Sequence, residues 1–497
     1  MESQPETCSP LDPVDWEQFR LQAHALLDRC LDRLAHARDF PWRPVTAEDR
    51  MALELGEAVE GQGMDRLVTD LVERIMPFAT GNTHPRFFGW VHGTGLAVGV
   101  LSEMVAATMN SNCGGRDHGA VYVEREVINW CRRCFGLPEQ TSGILVAGTS
   151  QATVIALACA RQRALGAGSR AEGIQGLPRL TAYAMVGVHN ALIKALELLG
   201  LGGAALRTIP CRSNGGMDLD ALSRQVAEDR LSGLRPFCVI GTAGSVDLGL
   251  FDDLSGLADF CAQERIWLHV DGAFGAWARL ADAPWRDRVC GIERADSLAL
   301  DFHKWMYVQY DCGVVLIREE ADHRAAFAAR PAYLAQQSQG VGSGEPWYCD
   351  YGIDLSRGFR ALKVWSALRA HGSQAFGEAI SRNCRLAMRM AERVTATAGL
   401  RLVAPVTLNI CCFSAAPEGW DAAHQDGFNT RIVQQLQLSG EGVFSTTRIA
   451  GLTVLRAAIV NHRTCEADID GLIAAVAAES ERLLSSDALP KLGQLRS

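Results

Sequence analysis

Lysine is nearly absent from this chain of 497 residues. Of its 48 basic residues only Lys194, Lys304, Lys363 and Lys491 are lysines, and the rest are arginines. An arginine-rich codon bias accounts for most of that imbalance, but the scarcity has a chemical use. Arginine stays protonated and cannot form an imine with an aldehyde, so covalent chemistry through a lysine amine is confined to four positions. A basic excess is also missing: 48 basic against 57 acidic residues gives a net charge of −9. A nucleic-acid groove is therefore not expected. No run of 18 or more uncharged apolar residues occurs, so no membrane span is expected. The N-terminal run MESQPETCSPLDP has neither the basic nor the apolar region of a standard secretory signal, and the expected location is the cytoplasm. The 16 cysteines are scattered and do not form the dense framework of a small secreted domain. The one C-x-x-C, Cys131–Cys134 in NWCRRCFG, has no second pair for a zinc ribbon. It reads as two thiols near a helix surface, with a redox pair as the alternative. Cys411–Cys412 reads as core, and no metal site is expected.

What is present is an ordinary globular composition, 48% hydrophobic and 21% charged, in a chain long enough to bury a large core. Residues 13–37 carry apolar side chains at helical spacing, with Asp12 as the expected N-cap and Pro13 in the first turn. A second helix is expected over 64–75. From there to about residue 370, apolar strand-like runs alternate with helical patterns. The strands are expected at 143–147, 182–188, 237–241, 266–270, 297–301 and 313–318, and the helices at 154–165, 191–199, 218–228 and 253–263. Such alternation indicates an α/β fold with a mainly parallel sheet. The small polar stretch QQSQGVGSG at 336–344 reads as a mobile loop. Helices at 356–371 and 376–398, strands near 401–403, 408–413 and 453–459, and a last helix at 466–484 complete the chain. The expected division is a helical segment at 1–82, a large α/β domain at 83–374 and a small α+β domain at 375–497.

Three constellations can carry chemistry. GILVAGTSQAT (143–153) ends an apolar strand at a Gly-Thr-Ser turn and starts a helix. Its exposed amides, helix dipole and two hydroxyls, Thr149 and Ser150, suit an anion such as a phosphate, although an ordinary capped helix is an equal reading. The same run is a near miss for a nucleophile elbow. A serine hydrolase using Ser150, with Asp271 and either His303 or His462, is the rival from another class. IWLHVDGAF (266–274) delivers Asp271 at a strand end, where a carboxylate can hold a ring nitrogen protonated or cap the next helix. SLALDFHKWMYVQYDC (297–312) ends a strand at Asp301, followed by His303 and Lys304. A partly desolvated lysine there would be nucleophilic, whereas a surface lysine is the plain alternative. Taken together, an anion cradle, a strand-end aspartate and a strand-end lysine match pyridoxal phosphate.

At this point the chain resembles the group II pyridoxal-phosphate-dependent amino-acid decarboxylases, the family of aromatic-L-amino-acid and glutamate decarboxylases, over about residues 80–480. HPRFFGW (84–90), HVDGAFGA (269–276) and DFHKW (301–305) carry the likeness, and LRAAIVNHRT (455–464) adds to it. The resemblance implies the fold type I, aspartate-aminotransferase-like architecture and a homodimer. It implies that Lys304 is the Schiff-base lysine, that Asp271 partners the ring nitrogen and that His189 stacks on the ring. It further implies that Thr242 and Ala273 contact the ring, and that Thr149 and Ser150 bind the phosphate with His303 close by. Tyr333 falls at the lid tyrosine that protonates Cα, with His189 as a possible relay. His269 shares a strand face with Asp271 and is expected either in the pocket wall or in a structural hydrogen bond. The chain departs from the family at RDHGAVYVE (116–124) and at the entrance run WVHGTG (90–95). Trp90 and the absence of a basic cluster lean towards an aromatic substrate, while His92 and Arg86 leave an acidic one open. The expected activity is decarboxylation of an L-amino acid to the amine and CO2. The alternatives are an acidic amino-acid decarboxylase, a decarboxylating aldehyde synthase and a degenerate scaffold. Retention of His189 and Tyr333 argues against the aldehyde synthase, and retention of Lys304, Asp271 and His189 argues against the scaffold.

Overall fold

The computed structural model describes residues 11–58, 60–212, 215–329 and 336–485. In chain order its strands are β1 (Phe87–Phe88), β2 (Ser142–Val146), β3 (Leu180–Met185), β4 (Leu206–Ile209), β5 (Arg235–Thr242), β6 (Trp267–Asp271), β7 (Ser297–Asp301) and β8 (Gly313–Ile317), followed by β9 (Arg401–Leu402), β10 (Ile410–Ser414), β11 (Val443–Ile449) and β12 (Leu452–Ala458). Seven of them form one sheet in the order β2-β8-β7-β6-β5-β3-β4. Strand β8 runs antiparallel to both neighbours, and the remaining pairs are parallel. The chain is therefore α/β with a mainly parallel sheet, and the C-terminal ends of six strands lie along one edge. Ligands of open α/β sheets bind at that edge.

The strands are buried on both faces, which explains their near-continuous apolar runs (ILV in β2, VVLI in β8). The helix Thr149–Leu165 lies against the sheet with ten buried residues and no single apolar stripe, the pattern of a helix enclosed on all sides. A second sheet, β1-β11-β12-β10-β9, is antiparallel apart from the β1–β11 pair. Its own core gathers Phe413, Phe428, Phe444 and Leu472 with other apolar side chains.

Several boundaries differ from the sequence expectation. The first helix spans Trp16–Ala35, and its N-cap is Asp15, whose side chain accepts N–H bonds from Glu17 and Gln18 at 3.0 Å. Asp12 is too far upstream to cap it. None of its residues is fully buried in the single chain, and Phe19, Leu26, Leu27, Cys30 and Leu34 on its apolar stripe are half-buried. The two helices expected at 356–371 and 376–398 are found along Ala361–Ala396 with the break between them at Gly372 (φ 73°, ψ 157°), but the first begins at Ala361 rather than at 356. That backbone conformation is open to glycine alone at little cost. The stretch 336–344 is tied down in places: Asp117 N–H donates to Val341 O (3.0 Å) and Gln337 N–H to Gly342 O (2.9 Å). Cys131 is fully buried, and burial pushes its thiol up and that of Cys134 up to about 12. A redox pair needs a lowered thiol pKa, so these two belong to the core. Cys411 and Cys412 are buried, as expected.

Strand β2 leads into the Gly-Thr-Ser turn and is pinned by a buried ion pair. Arg357 Nη2 lies 2.6 Å from Glu124 Oε1, and Nη1 lies 3.1 Å from Oε2. Glu124 Oε1 also accepts from Leu145 N (2.9 Å), and Arg357 Nη1 donates to Cys113 O (2.8 Å). Both side chains are 1% exposed, so removing one partner strands the other as an unpaired buried charge. Arg357→Met is therefore expected to lower unfolding stability by about 3–5 kcal/mol. The double change Glu124→Leu/Arg357→Met should recover most of that loss, with denaturant unfolding as the measurement.

Candidate active site

A cavity of about 400 Å³ opens at the C-terminal edge of the large sheet. Each strand end delivers part of its wall. After β2 come Gly148, Thr149 and Ser150, and after β3 come Val188 and His189. Thr242 ends β5, Asp271 ends β6, and Asp301, His303 and Lys304 follow from β7. Residues from 149 to 304 meet in one hollow because parallel strands put all their C-termini on the same side. Strand register fixes the floor: Thr242 pairs with Asp271, and Asp271 with Ala299.

Lys304 Nζ lies 2.9 Å from Asp301 Oδ2, and its side chain is 25% exposed, so the amine is reachable from the cavity. The other oxygen, Asp301 Oδ1, accepts the Thr149 N–H at 2.7 Å. Gly148, the N-cap of that helix, has no side chain with which to cap it, and Asp301 supplies the cap from a different strand. Asp301 is a member of the site that the sequence reading passed over as a strand terminus. His303 Nδ1 accepts the Cys312 N–H (3.0 Å), which leaves the proton on Nε2, 3.8 Å from Asp301 Oδ2. Burial holds the His303 imidazole below its ordinary pKa, opposed by the Asp301 charge.

Asp271 Oδ1 accepts the Ala273 N–H at 3.1 Å. Behind it on β6, His269 is fully buried, with Nδ1 2.9 Å from Ser297 Oγ and no partner for Nε2 among the described residues. Burial pushes this imidazole down to about 4 and keeps it neutral. Of the two expectations for His269, the structural hydrogen bond is the one found, and the side chain does not line the cavity. Thr242 is held from beneath, its N–H donating to Asp252 Oδ2 (2.7 Å), while Asp252 Oδ1 accepts from Met217 N (2.7 Å). Desolvation pushes the Asp252 carboxyl up to about 6. His189 stands exposed at the rim, its Nδ1 accepting the Ala191 N–H (3.2 Å). Trp90 and His92 line the mouth, stacked at 5.5 Å between ring centroids, with Trp90 51% exposed. Arg86 is not in the wall; it turns to Glu441 and Asp468. Tyr333 lies outside the described residues.

Two hydroxyls on this wall are diagnostic. Thr149 Oγ1 and Thr242 Oγ1 are buried and have no hydrogen-bond partner among the described residues. Buried polar atoms are nearly always paired, and an orphan in a cavity wall points to a ligand that completes it. A model of the pyridoxal-dependent decarboxylase conserved domain matches residues 48–416. The chain belongs to this family. It is a pyridoxal-phosphate-dependent carboxy-lyase acting on an amino acid. It is 32% identical to the aromatic-L-amino-acid decarboxylase of Bacillus atrophaeus, over 90% of this chain and 92% of that protein. It is 26% identical to the phenylacetaldehyde synthase of Arabidopsis thaliana, over 90% and 93% of the two chains. In fold it superposes on the crystal structure of Oryza sativa TDC with PLP and tryptamine with a TM-score of 0.87, at 24% identity, covering 95% of this chain and 99% of that one. The fold type I architecture expected for the family is the one found.

The residues present fit the cofactor. The decarboxylase has two orphan hydroxyls, a helix start, a strand-end carboxylate and a reachable lysine amine around one hollow. A serine hydrolase does not fit. Ser150 is exposed and makes no hydrogen bond to a histidine among the described residues. His303 is committed to Cys312 N and Asp301, and His462 Nδ1 to Thr94 Oγ1 at 2.8 Å. Replacing the orphan hydroxyls separates cofactor binding from folding. Thr149→Val/Thr242→Val removes two unpaired buried polar atoms, so the cofactor-free protein should melt no lower than wild type. Pyridoxal phosphate should bind at least about fivefold more weakly, the worth of about one lost hydrogen bond. Melting curves and fluorescence titration measure the two effects.

Proposed function

We propose that this decarboxylase converts an aromatic L-amino acid to its amine and CO2, with Lys304 as the covalent anchor of the cofactor. The composition of the cavity wall carries this reading. Trp90, His92 and Phe274 supply rings, and Val91, Val188 and Met185 supply apolar surface. Lys304 is the one lysine or arginine among the described lining residues, and it is paired with Asp301. A substrate with an acidic side chain would need a second cation, and Arg86 faces elsewhere. The similarity to an aromatic-L-amino-acid decarboxylase supports the same substrate class.

When bound, pyridoxal phosphate supplies an electron sink for the pair left behind as CO2 departs. The chain's residues make that sink effective and specific. Asp271 gives one oxygen to Ala273 N–H and keeps the other for a protonated ring nitrogen, whose positive charge it stabilises. Neutral His269 behind it adds no competing positive charge. Thr149, Ser150 and His303 Nε2 are the phosphate donors, and Thr242 and Ala273 bound the ring from β5 and β6. His189 covers the ring face from the rim. By family resemblance Tyr333 returns a proton to Cα, relayed through His189. Both residues are retained, which favours the amine over the aldehyde made by a relative such as the phenylacetaldehyde synthase.

We place the enzyme in the cytoplasm as a homodimer. Among the described residues no helix is long and apolar enough to cross a membrane. The helix Ala97–Met109 exposes Leu101, Met104, Val105 and Met109, each between 44% and 50%. Four exposed apolar side chains on one helix are the kind of patch that a second copy of the chain would cover. Leu101→Glu/Val105→Glu should halve the solution mass measured by light scattering, from twice 53.8 kDa to 53.8 kDa.

A panel of L-amino acids assayed for evolved CO2, with products identified by mass, tests the substrate class. Turnover of tryptophan, tyrosine or phenylalanine to the amine is expected. Exclusive turnover of glutamate or aspartate would overturn the aromatic assignment, and aldehyde with hydrogen peroxide would overturn the amine outcome.

A further inference from the structure

The placement of the Lys304 amine is set by Asp301, the first residue of the DFHKW run. Asp301 is 2% exposed and forms three polar contacts at once: Lys304 Nζ at 2.9 Å, Thr149 N at 2.7 Å and His303 Nε2 at 3.8 Å. Room for the carboxylate is made on two sides. A Cβ on Gly313 would lie 2.7 Å from Asp301 Oδ1, and one on Gly148 would lie 3.4 Å from the same atom. Gly313 pairs directly with Asp301 across β7 and β8, so the register itself puts a hydrogen atom where any other residue would intrude.

We propose that Asp301 is a positioning residue that holds the Lys304 amine beside the start of the helix Thr149–Leu165 until the cofactor arrives. One oxygen fixes the amine and the other fixes the first amide of the cradle, so one side chain couples the covalent site to the anion site. A nitrogen held 2.9 Å from a carboxylate must leave that contact before it can attack an electrophile. Asp301 therefore slows attack by Lys304 on any electrophile in the cofactor-free protein. Attachment of an aldehyde requires Nζ to give up its proton and move off the carboxylate. This inference rests on the reading of Lys304 as the cofactor lysine only for its consequence, since the contact itself is a property of the chain alone.

Asp301→Asn is the discriminating change. An amide oxygen still accepts from Thr149 N–H, so the helix start keeps its cap, while the ionic hold on Lys304 is lost. The cofactor-free proteins are labelled with a trace amine-reactive reagent such as acetic anhydride across pH 6–10, and each lysine is followed by peptide mass. With four lysines in the chain, Lys194 and Lys363 serve as internal references in every sample. Lys363 is itself paired, 2.6 Å from Glu103 Oε1, and must not respond. The expected result is that Lys304 labels at least about threefold faster at pH 8 in Asp301→Asn, because the charge-assisted contact that holds its nitrogen is gone. Lys194, Lys363 and the melting temperature should be unchanged. In a second arm, the rise of the visible band after adding pyridoxal phosphate should also be faster in the variant. Equal Lys304 labelling in the two proteins overturns the proposal even if the band forms normally. Faster labelling with no visible band in either protein sustains it and overturns the cofactor assignment instead. If Asp301→Asn melts markedly lower, Asp301→Glu is the check. It must restore slow labelling, because it returns the charge, and failure to do so also overturns the proposal.

Discussion

The contact between Lys304 Nζ and Asp301, 2.9 Å apart where β7 ends, ties together the parts on which this enzyme depends. The strand is fully buried, so its end is fixed by packing on both faces rather than by a loop. The carboxylate also reaches the first amide of the helix Thr149–Leu165, which begins after a different strand. Amine and anion cradle therefore cannot drift apart without breaking a buried, charge-assisted hydrogen bond. Lysine's low frequency sharpens this arrangement, because the fold places one of only four such amines at the sheet edge where chemistry is possible.

Support for that edge comes from charges and amides placed well outside the cavity. The Glu124–Arg357 pair anchors β2 just before the Gly-Thr-Ser turn. Asp252 holds the end of β5 by the Thr242 amide. From the second sheet, buried Arg456 donates through Nε to Asp247 O at 3.3 Å and through Nη2 to Val246 O, fixing the segment that walls the cavity beyond β5. Each of these costs desolvation, and each is retained where it orients a functional strand end. The hydroxyls of Thr149 and Thr242 are the counterpart: buried polar atoms in the cavity wall with no hydrogen-bond partner among the described residues, open to a ligand.

Much of this was legible in the sequence, for a physical reason. Strands buried on both faces read as apolar runs, and a polar residue at the end of such a run has no solvent-facing alternative. Lys304 and Asp271 stood out on that basis, and β7 was found with its exact ends, Ser297–Asp301. The helix after β2 begins five residues earlier than its apolar pattern suggested, because its cap comes from Asp301 and not from its own neighbours. The role of Asp301 was hidden for the same reason: its partner Thr149 lies 152 residues away. Glu124 and Arg357 are 233 residues apart and equally silent in one dimension. Strand β1, two residues long, carries no periodicity and exists through its pairing with β11. The apolar stripe of Trp16–Ala35 is visible in the sequence, whereas its only partial burial in a single chain is a tertiary fact.

The account turns on which nitrogen carries the cofactor. Reconstituting the enzyme with pyridoxal phosphate, reducing with borohydride and mapping the adduct by peptide mass addresses this directly. A phosphopyridoxyl group on Lys304 alone, with loss of the visible band, is the predicted result. An adduct on Lys194, Lys363 or Lys491 in its place, or none on a protein that still evolves CO2 from an amino acid, would contradict it.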